Sequence, residues 1–312
     1  MSQPTLTQTP AGGIPTGGPE QGTTPDARPR TARFQPVRPR PLSGARRLGP
    51  ADWLAAGFLG ILLVAIAAPG LLAAYDPLEV SPGNTLQAPG LAHPFGTDYL
   101  GRDALSRVIH GTGRTIGASL VSVAIGLGAG SLLGLVAAYF GRWVDGIVSR
   151  IVDVLLSIPG LLLSMVVVVA LGFGTLNAAI AVGIASVATF ARLMRSEVLT
   201  VRNLPFVEAA HHIGARSRTV LFRHVLPNSY SAVLSMTALQ FGSSILWIAA
   251  LSFLGYGAPP PQPEWGLLVA EGREYIVSSP WLTVLPGIVI VLTVLSISRV
   301  SALFRTNQET KK

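Results

Sequence analysis

Residues 154–191 read VLLSIPGLLLSMVVVVALGFGTLNAAIAVGIASVATFA, 38 positions without one Asp, Glu, Lys or Arg. As a single helix the run would be about 57 Å long at ~1.5 Å per residue, nearly twice a ~30 Å hydrocarbon core. The cluster Gly172-Phe173-Gly174-Thr175-Leu176-Asn177 is a helix breaker inside it. The run therefore predicts two membrane-spanning helices joined by a tight turn. Pro159-Gly160, near its start, removes a backbone donor and predicts a kink in the first of the two.

Four more uncharged runs flank this one, at 53–75, 115–141, 224–263 and 275–298. Three fit one spanning helix each, which needs about 20 apolar residues. The fourth is trimmed by Pro227-Asn228 and Pro259-Pro260-Pro261 to one helix near 230–255. The sum is an all-α polytopic membrane protein of six transmembrane helices. Composition agrees: 12% of the 312 residues are charged and 49% are hydrophobic, against about 25% charged in soluble domains. The apolar stretch 53–67 starts too far from the N-terminus for a signal peptide and reads as an uncleaved anchor.

Several chemistries are excluded by residue type. There is no Cys, so disulfides, thiolate zinc sites and cysteine nucleophiles are absent. The two Lys, Lys311 and Lys312, end the chain, so no Gly-rich phosphate loop with its Lys is present. No nucleophile elbow, His-Glu-x-x-His or paired carboxylates suggest a hydrolase. A net charge of +8 does not signal nucleic acid, because the basic residues lie between long apolar runs and not on an aromatic-studded polar face. A proton- or sodium-coupled carrier would place ionisable groups at mid-membrane, and these runs have none. An ATP-independent secondary carrier stays only as a distant alternative.

Charge asymmetry sets the expected orientation. With the N-terminus inside, 19 of the 23 basic residues fall on inner segments, as the positive-inside rule requires. Both termini are then cytoplasmic, and the segments near 76–113 and 264–274 are extracytoplasmic. Trp53, Tyr75, Tyr139, Trp143, Tyr256 and Trp281 fall near span ends, where interfacial aromatics belong. Residues 1–48 are rich in Pro, Thr, Gly and Arg without apolar periodicity, and read as a disordered cytoplasmic tail. The organisation is thus tail 1–48, first helix with an extracytoplasmic segment 49–112, a five-helix core 113–305, and a C-terminal tail 306–312. Gly126, Gly130 and Gly134, spaced by four in the second helix, predict a closely packed helix neighbour. Asp153 is expected to pair locally, with Arg150 three residues earlier.

The inner loop 192–229 is 38 residues long and patterned, unlike an ordinary connection. Pro205 suits the first turn of a helix, which runs through Phe206-Val207-Glu208-Ala209-Ala210-His211-His212-Ile213 to a C-cap at Gly214. Glu208 lies near that helix's positive end, where its charge is favoured. A second short helix, 217–225, is expected to stop at Leu226-Pro227-Asn228. The loop reads as a helical hairpin built for rigid docking. His211, His212 and His224 have no Cys and few carboxylates nearby, so no metal site is expected.

Glu208-Ala209-Ala210, three residues, Gly214, nine residues, then His224-Val225-Leu226-Pro227 resembles the EAA loop of binding-protein-dependent ABC importer permeases. His224 stands where the broad pattern has Ile, but Arg223-His224-Val225-Leu226-Pro227-Asn228 is similar to the form found in DppC/OppC-type subunits of the dipeptide/oligopeptide/nickel branch. The stretch His93-Pro94-Phe95-Gly96-Thr97-Asp98-Tyr99-Leu100-Gly101-Arg102-Asp103, with Leu105-Ser106-Arg107, resembles their signature after the first helix. So do Leu251-Ser252-Phe253-Leu254-Gly255, Pro263-Glu264-Trp265-Gly266 and Glu271-Gly272-Arg273. The C-terminal Ser298-Arg299-Val300-Ser301 departs from that branch's usual acidic ending.

The resemblance implies a type I ABC importer permease fold and a protein that is not itself an enzyme. It implies pairing with a homologous DppB/OppB-type permease around a shared pathway in the bacterial plasma membrane. Two ABC ATPase subunits, carrying the ATP and Mg, would dock below on the loop, and an extracytoplasmic binding protein would deliver cargo. No cofactor would be bound by this chain. Peptides are the expected cargo, with nickel chelates, glutathione or another small solute as alternatives. His93, Gly96, Thr97, Asp98, Gly101, Arg102 and Asp103 would form either an outer gate or docking contact, or an ion-pair network holding their segment. Ser164, Asn177, Gln240 and Ser244 are polar positions that could face the pathway or satisfy contacts between helices.

Overall fold

The computed structural model describes residues 49–309, and among these the chain is helical without a β-strand. The expected tail 1–48 and residues 310–312 lie outside the described residues. Five helices are long and apolar enough to cross a membrane, and a sixth crossing is available from a bent pair.

The first helix, α1 (Pro50–Ala67), begins at Gly49, whose amide donates to Asp52 Oδ2 at 2.8 Å. Asp52 Oδ1 also accepts from Arg299 Nε at 2.7 Å, tying the start of α1 to the last helix, α10 (Trp281–Glu309). α10 carries the helix through 306–309, which the sequence assigned to a tail. It starts at Trp281 because residues 275–280 turn, so the apolar run that begins at 275 is longer than its span.

Helix α2 (Ala104–Phe140) starts well before the apolar run at 115. Asp103 caps it, its Oδ2 accepting from Ser106 N at 2.7 Å. At 37 residues it is about 55 Å long, so its first turns extend past a bilayer core. The helix therefore crosses the boundary at 112 drawn from charge alone.

Helices α3 (Arg142–Ser157) and α4 (Gly160–Leu171) correct the third span. They are bent by 95° at Ile158-Pro159, so the expected kink is close to a right angle. α4 alone is 12 residues, too short to cross. Pro159 cannot donate, and it biases Ile158 away from the helical region; Ile158 is extended, at ψ 130°. Trp247 fills the corner: a Cβ on Gly160 would lie 2.2 Å from its ring. The breaker at 172–174 behaves as expected, with Gly172 at φ +95° and Gly174 at φ +136°, leading into α5 (Thr175–Arg202).

The core is the packing of α2 on α5. A Cβ on Gly126 would lie 2.0 Å from Ser186 Oγ, one on Gly130 2.6 Å from Val187 O, and one on Gly134 2.4 Å from Ala191 O. Gly183 answers from α5, 2.9 Å from Ile125 Cβ by the same construction. Any side chain on the three-glycine stripe would force the backbones apart, as the sequence predicts. Asp153 pairs across helices with Arg192 of α5, at 2.6 Å, and not with Arg150 on its own helix. Asp145 is held by Arg195 in the same way, Nη2 to Oδ2 at 2.7 Å. Long-range packing of α3 on α5 thus overrides the local ion pair.

Beyond α5 the chain forms α6 (Pro205–His212), a four-residue helix α7 (Ser217–Val220) and one π-helical turn, Leu221–Val225. This turn flows without a break into α8 (Leu226–Phe253). The expected stop at Leu226-Pro227-Asn228 does not occur. Leu226 N donates to Leu221 O in the wider π pattern, and Pro227 falls in the first turn of α8, where its missing N–H is tolerated. The short α9 (Trp265–Arg273) follows α8 at the opposite end of the bundle.

Candidate functional site

Two polar constructions stand at opposite ends of the helices. The first surrounds α6. Asn203 ends α5, and Pro205 opens α6 three residues after α5's last turn, as its fixed φ favours. Val207 and Ala210 face inward and are buried in one apolar cluster with Val198 and Val201 of α5, Val220, Leu221 and Val225. Phe206, Glu208, Ala209, His212 and Ile213 face outward and are exposed. Among the described residues no hydrogen bond or ion pair engages the Glu208 carboxylate. The helix is thus fixed along one face and unoccupied along the other.

Gly214 closes α6 with φ +83°. Ala215 N donates back to Ala210 O at 3.1 Å, the wide closure that requires a left-handed residue between them. A Cβ at Gly214 would meet open space, so glycine is needed there for its backbone alone. The half-buried His224 ring stands 6.4 Å from that of Phe206, and its carbonyl accepts from Asn228 Nδ2 at 2.6 Å. Leu226 is half-buried against the cluster, while Pro227 is exposed. All the loop-motif residues, Glu208, Ala209, Ala210, Gly214, His224, Leu226 and Pro227, therefore lie on one hairpin. Between residues 203 and 229 Glu208 is the single acidic residue, among Arg216, Arg218 and Arg223.

The second construction is a buried charge knot at the end that carries α9. Asp98 Oδ2 accepts from Arg102 Nε at 2.6 Å and from Arg107 Nη1 at 2.7 Å, and its Oδ1 accepts the amides of Leu100 and Arg102. Arg107 Nη1 also reaches Glu271 Oε2 of α9 at 2.7 Å. His93 Nδ1 lies 2.9 Å from Asp103 Oδ1. Thr97 accepts from Gln87 N at 2.9 Å and donates to the Asn84 carbonyl. Gly96 and Gly101 take φ +73° and +79°, and a Cβ on either would lie within 2.6 Å of Gln87 O or Ser81 O respectively. The side chains of His93, Thr97, Asp98, Arg102 and Asp103 thus bond within their own segment and to Arg107 of α2, which reaches on to α9. The ion pairs expected of a holding network are present. Arg107 and Glu271 complete the knot, and sequence spacing gave no sign of their pairing because 164 residues separate them.

Glu264, outside the spans between α8 and α9, is fully buried, and no hydrogen bond closes on either carboxylate oxygen. Burial pushes its pKa up from 4.5 to about 7, although the nearby Ser252 hydroxyl, the Gly266 amide and the Arg114 charge pull it down. The sequence marked Glu264 only as part of a motif, with no indication of burial. Of the four polar candidates one bonds across helices, Ser122 of α2 donating to Ser244 Oγ at 3.3 Å, whereas Ser164 donates to Gly160 O of its own helix at 2.8 Å and Asn177 to Gly172 O in the turn before α5 at 3.0 Å. Gln240 is half-buried without such a partner among the described residues. No cluster of His, Asp and Glu among the described residues could hold a metal.

Residues 130–311 match the model of the family described as binding-protein-dependent transport system inner membrane component. The chain is 41% identical over 239 residues to the dipeptide transport system permease protein DppC of Alkalihalophilus pseudofirmus, covering 77% of this chain and 78% of that one. It is 42% identical over 245 residues to the glutathione transport system permease protein GsiD of Pectobacterium atrosepticum, covering 78% and 81%. Among solved structures, an inward-facing MetNI methionine ABC transporter matches with a TM-score of 0.54 at 16% identity, over 66% of this chain and 95% of that one. An amino acid ABC transporter with histidines matches at 0.53 and 17%, over 64% and 92%. At such identities these two likenesses speak to the fold.

Proposed function

Since the chain belongs to the family of binding-protein-dependent transport system inner membrane components, and is a multi-pass membrane permease, we propose that it forms half of an ATP-driven importer's pathway for short peptides. A homologous permease would supply the other half. ATPase subunits holding ATP and Mg would drive it from the α6 side, and a binding protein would deliver cargo at the α9 side. Both termini would then be cytoplasmic, which the basic residues of the α6 end support.

One observation carries the reading: α6 is anchored along Val207 and Ala210 and bare along Glu208 and Ala209, and its hairpin runs unbroken into spanning helix α8. A force applied to the bare face would be transmitted to α8 without a flexible joint. That is what a coupling element between a closing ATPase dimer and a rocking helix bundle requires. ATP would act only through its different affinities for the two arrangements.

Glutathione is a second reading of the cargo, favoured by the equal identity to a glutathione permease. Dipeptides and glutathione share a free α-amino group and terminal carboxylate, and competition uptake with each distinguishes them. The coupling reading has a direct test, made clean by the absence of Cys. Single cysteines at Ala209 and Ile213 should crosslink to the ATPase in membranes holding all subunits, whereas one at Thr175 should not. Uptake that persists with orthovanadate, or without the ATPases, would instead establish a secondary carrier.

A further inference from the structure

On the membrane side of the hairpin, behind α6, two cavities of about 320 and 430 Å³ share Tyr139, Phe140 and Leu221 and so form one groove. Both volumes fall in the ~300–1,000 Å³ range of small-molecule pockets. Val207, Val220 and Val225 line the inner part, and Leu132 and Phe222 line the part that opens onto the exposed flank of α2. Two cations border this apolar groove, Arg202 from α5 and Arg218 from α7. Among the described residues neither has an ion-pair partner, and both are exposed.

From this combination we propose that the groove seats an anionic phospholipid, its phosphate between Arg202 and Arg218 and an acyl chain against Tyr139, Phe140 and Leu221. The depth suits such a ligand: Tyr139, which lines the groove, lies in the last turn of α2, and the exposed Trp143 follows in the first turn of α3, where such aromatic side chains mark the headgroup level. Basic pockets between helices at that level select anionic headgroups. The chain's own ends are the wrong occupants, since residues 28–47 hold seven Arg and the last two residues are Lys. An ATPase is also the wrong occupant. Val207 lines the groove, whereas Glu208 and Ala209 are exposed on the other face of the same helix.

The inference takes from the functional reading only that α6 lies at the bilayer surface, and its test requires neither transport nor ATP hydrolysis. The assembled complex is equilibrated with equal phosphatidylglycerol and phosphatidylcholine, and retained lipid is counted by native mass spectrometry. The wild type should retain phosphatidylglycerol in preference by roughly tenfold. Arg202→Gln combined with Arg218→Gln should remove that preference, and Arg216→Gln, an exposed neighbour outside the groove, should leave it. A photoactivatable phosphatidylglycerol on the unaltered complex should label 132–140 and 217–225. Equal retention by wild type and the double variant, or adducts confined to other segments, overturns the proposal. If the double variant fails to assemble, the adduct map decides alone.

Discussion

The two ends of the bundle use charge in opposite ways. At the α9 end Asp98, Arg102 and Arg107 are buried, Glu271 is half-buried, and the four are joined by hydrogen bonds. At the α6 end Glu208 and the Arg residues around it are exposed with no partner in the described chain. The first motif spends its charges on ion pairs within the chain, while the second presents its charges outward on a rigid support, as the proposed docking role requires. Both were readable as motifs in the sequence, but only burial separates their roles. The contrast predicts that substitutions at one end cost stability and at the other cost coupling.

The largest loss should follow Arg107→Ala. It leaves Asp98 and Glu271 to share Arg102 alone, and breaking a buried pair from one side typically costs ~3–5 kcal/mol. Thermal unfolding of the purified complex should show a large fall. The double change Arg107→Met with Glu271→Gln should recover most of it, because Asp98 and Arg102 then remain as a matched pair. If Arg107→Ala unfolds at the wild-type temperature, the knot is not structural and the contrast between the ends is lost.

Glu264 gives the next effect, with a definite sign. Its folded pKa, about 7, lies above its ordinary 4.5. The neutral form is therefore the one the fold accommodates. Stability from this group is full below 4.5 and is lost as pH rises through 7. The span of 2.5 pH units corresponds to about 3 kcal/mol as an upper figure. Glu264→Gln should flatten the fall in unfolding temperature between pH 5 and 8, and should be more stable than wild type at pH 8. An unchanged slope would mean that Glu264 is charged and matched in the fold.

How far the sequence reached depends on the range of the interaction that decides each feature. The Gly126, Gly130 and Gly134 stripe, the breaker at 172–174 and the cap at Gly214 follow from spacing or from one residue's backbone, and the structure realises them as read. The features missed depend on residues far apart in sequence. Asp153 turns to Arg192 because α3 lies against α5, and Arg107 meets Glu271 only once α9 folds back. The 95° bend at Ile158-Pro159 was legible as a kink but not as a corner, where Trp247 of the distant α8 packs against Gly160. Pro227 misled the reading because a proline marks a helix's end and its first turn equally well, and the π turn before it selects the second.

The smallest effects on stability, and the most decisive for function, belong to the hairpin. Gly214→Asp puts a Cβ at φ +83° in open space, so it costs only the left-handed penalty of ~1–2 kcal/mol. Glu208→Lys replaces an exposed side chain with no partner in the described chain and should stay within ~0.5 kcal/mol. Yet both alter the face that α6 offers, the first by fraying its end and the second by reversing the hairpin's sole negative charge. Substrate-stimulated ATP hydrolysis should fall to the unstimulated rate in each while the complex still purifies intact. If coupling fails in proportion to lost stability, Gly214→Asp should be worse than Glu208→Lys. If it fails through contact, the two should match, or Glu208→Lys should be worse. A basic-to-acidic exchange in the ATPase's docking groove should then restore Glu208→Lys and leave Gly214→Asp uncoupled, because only the former defect is one of charge.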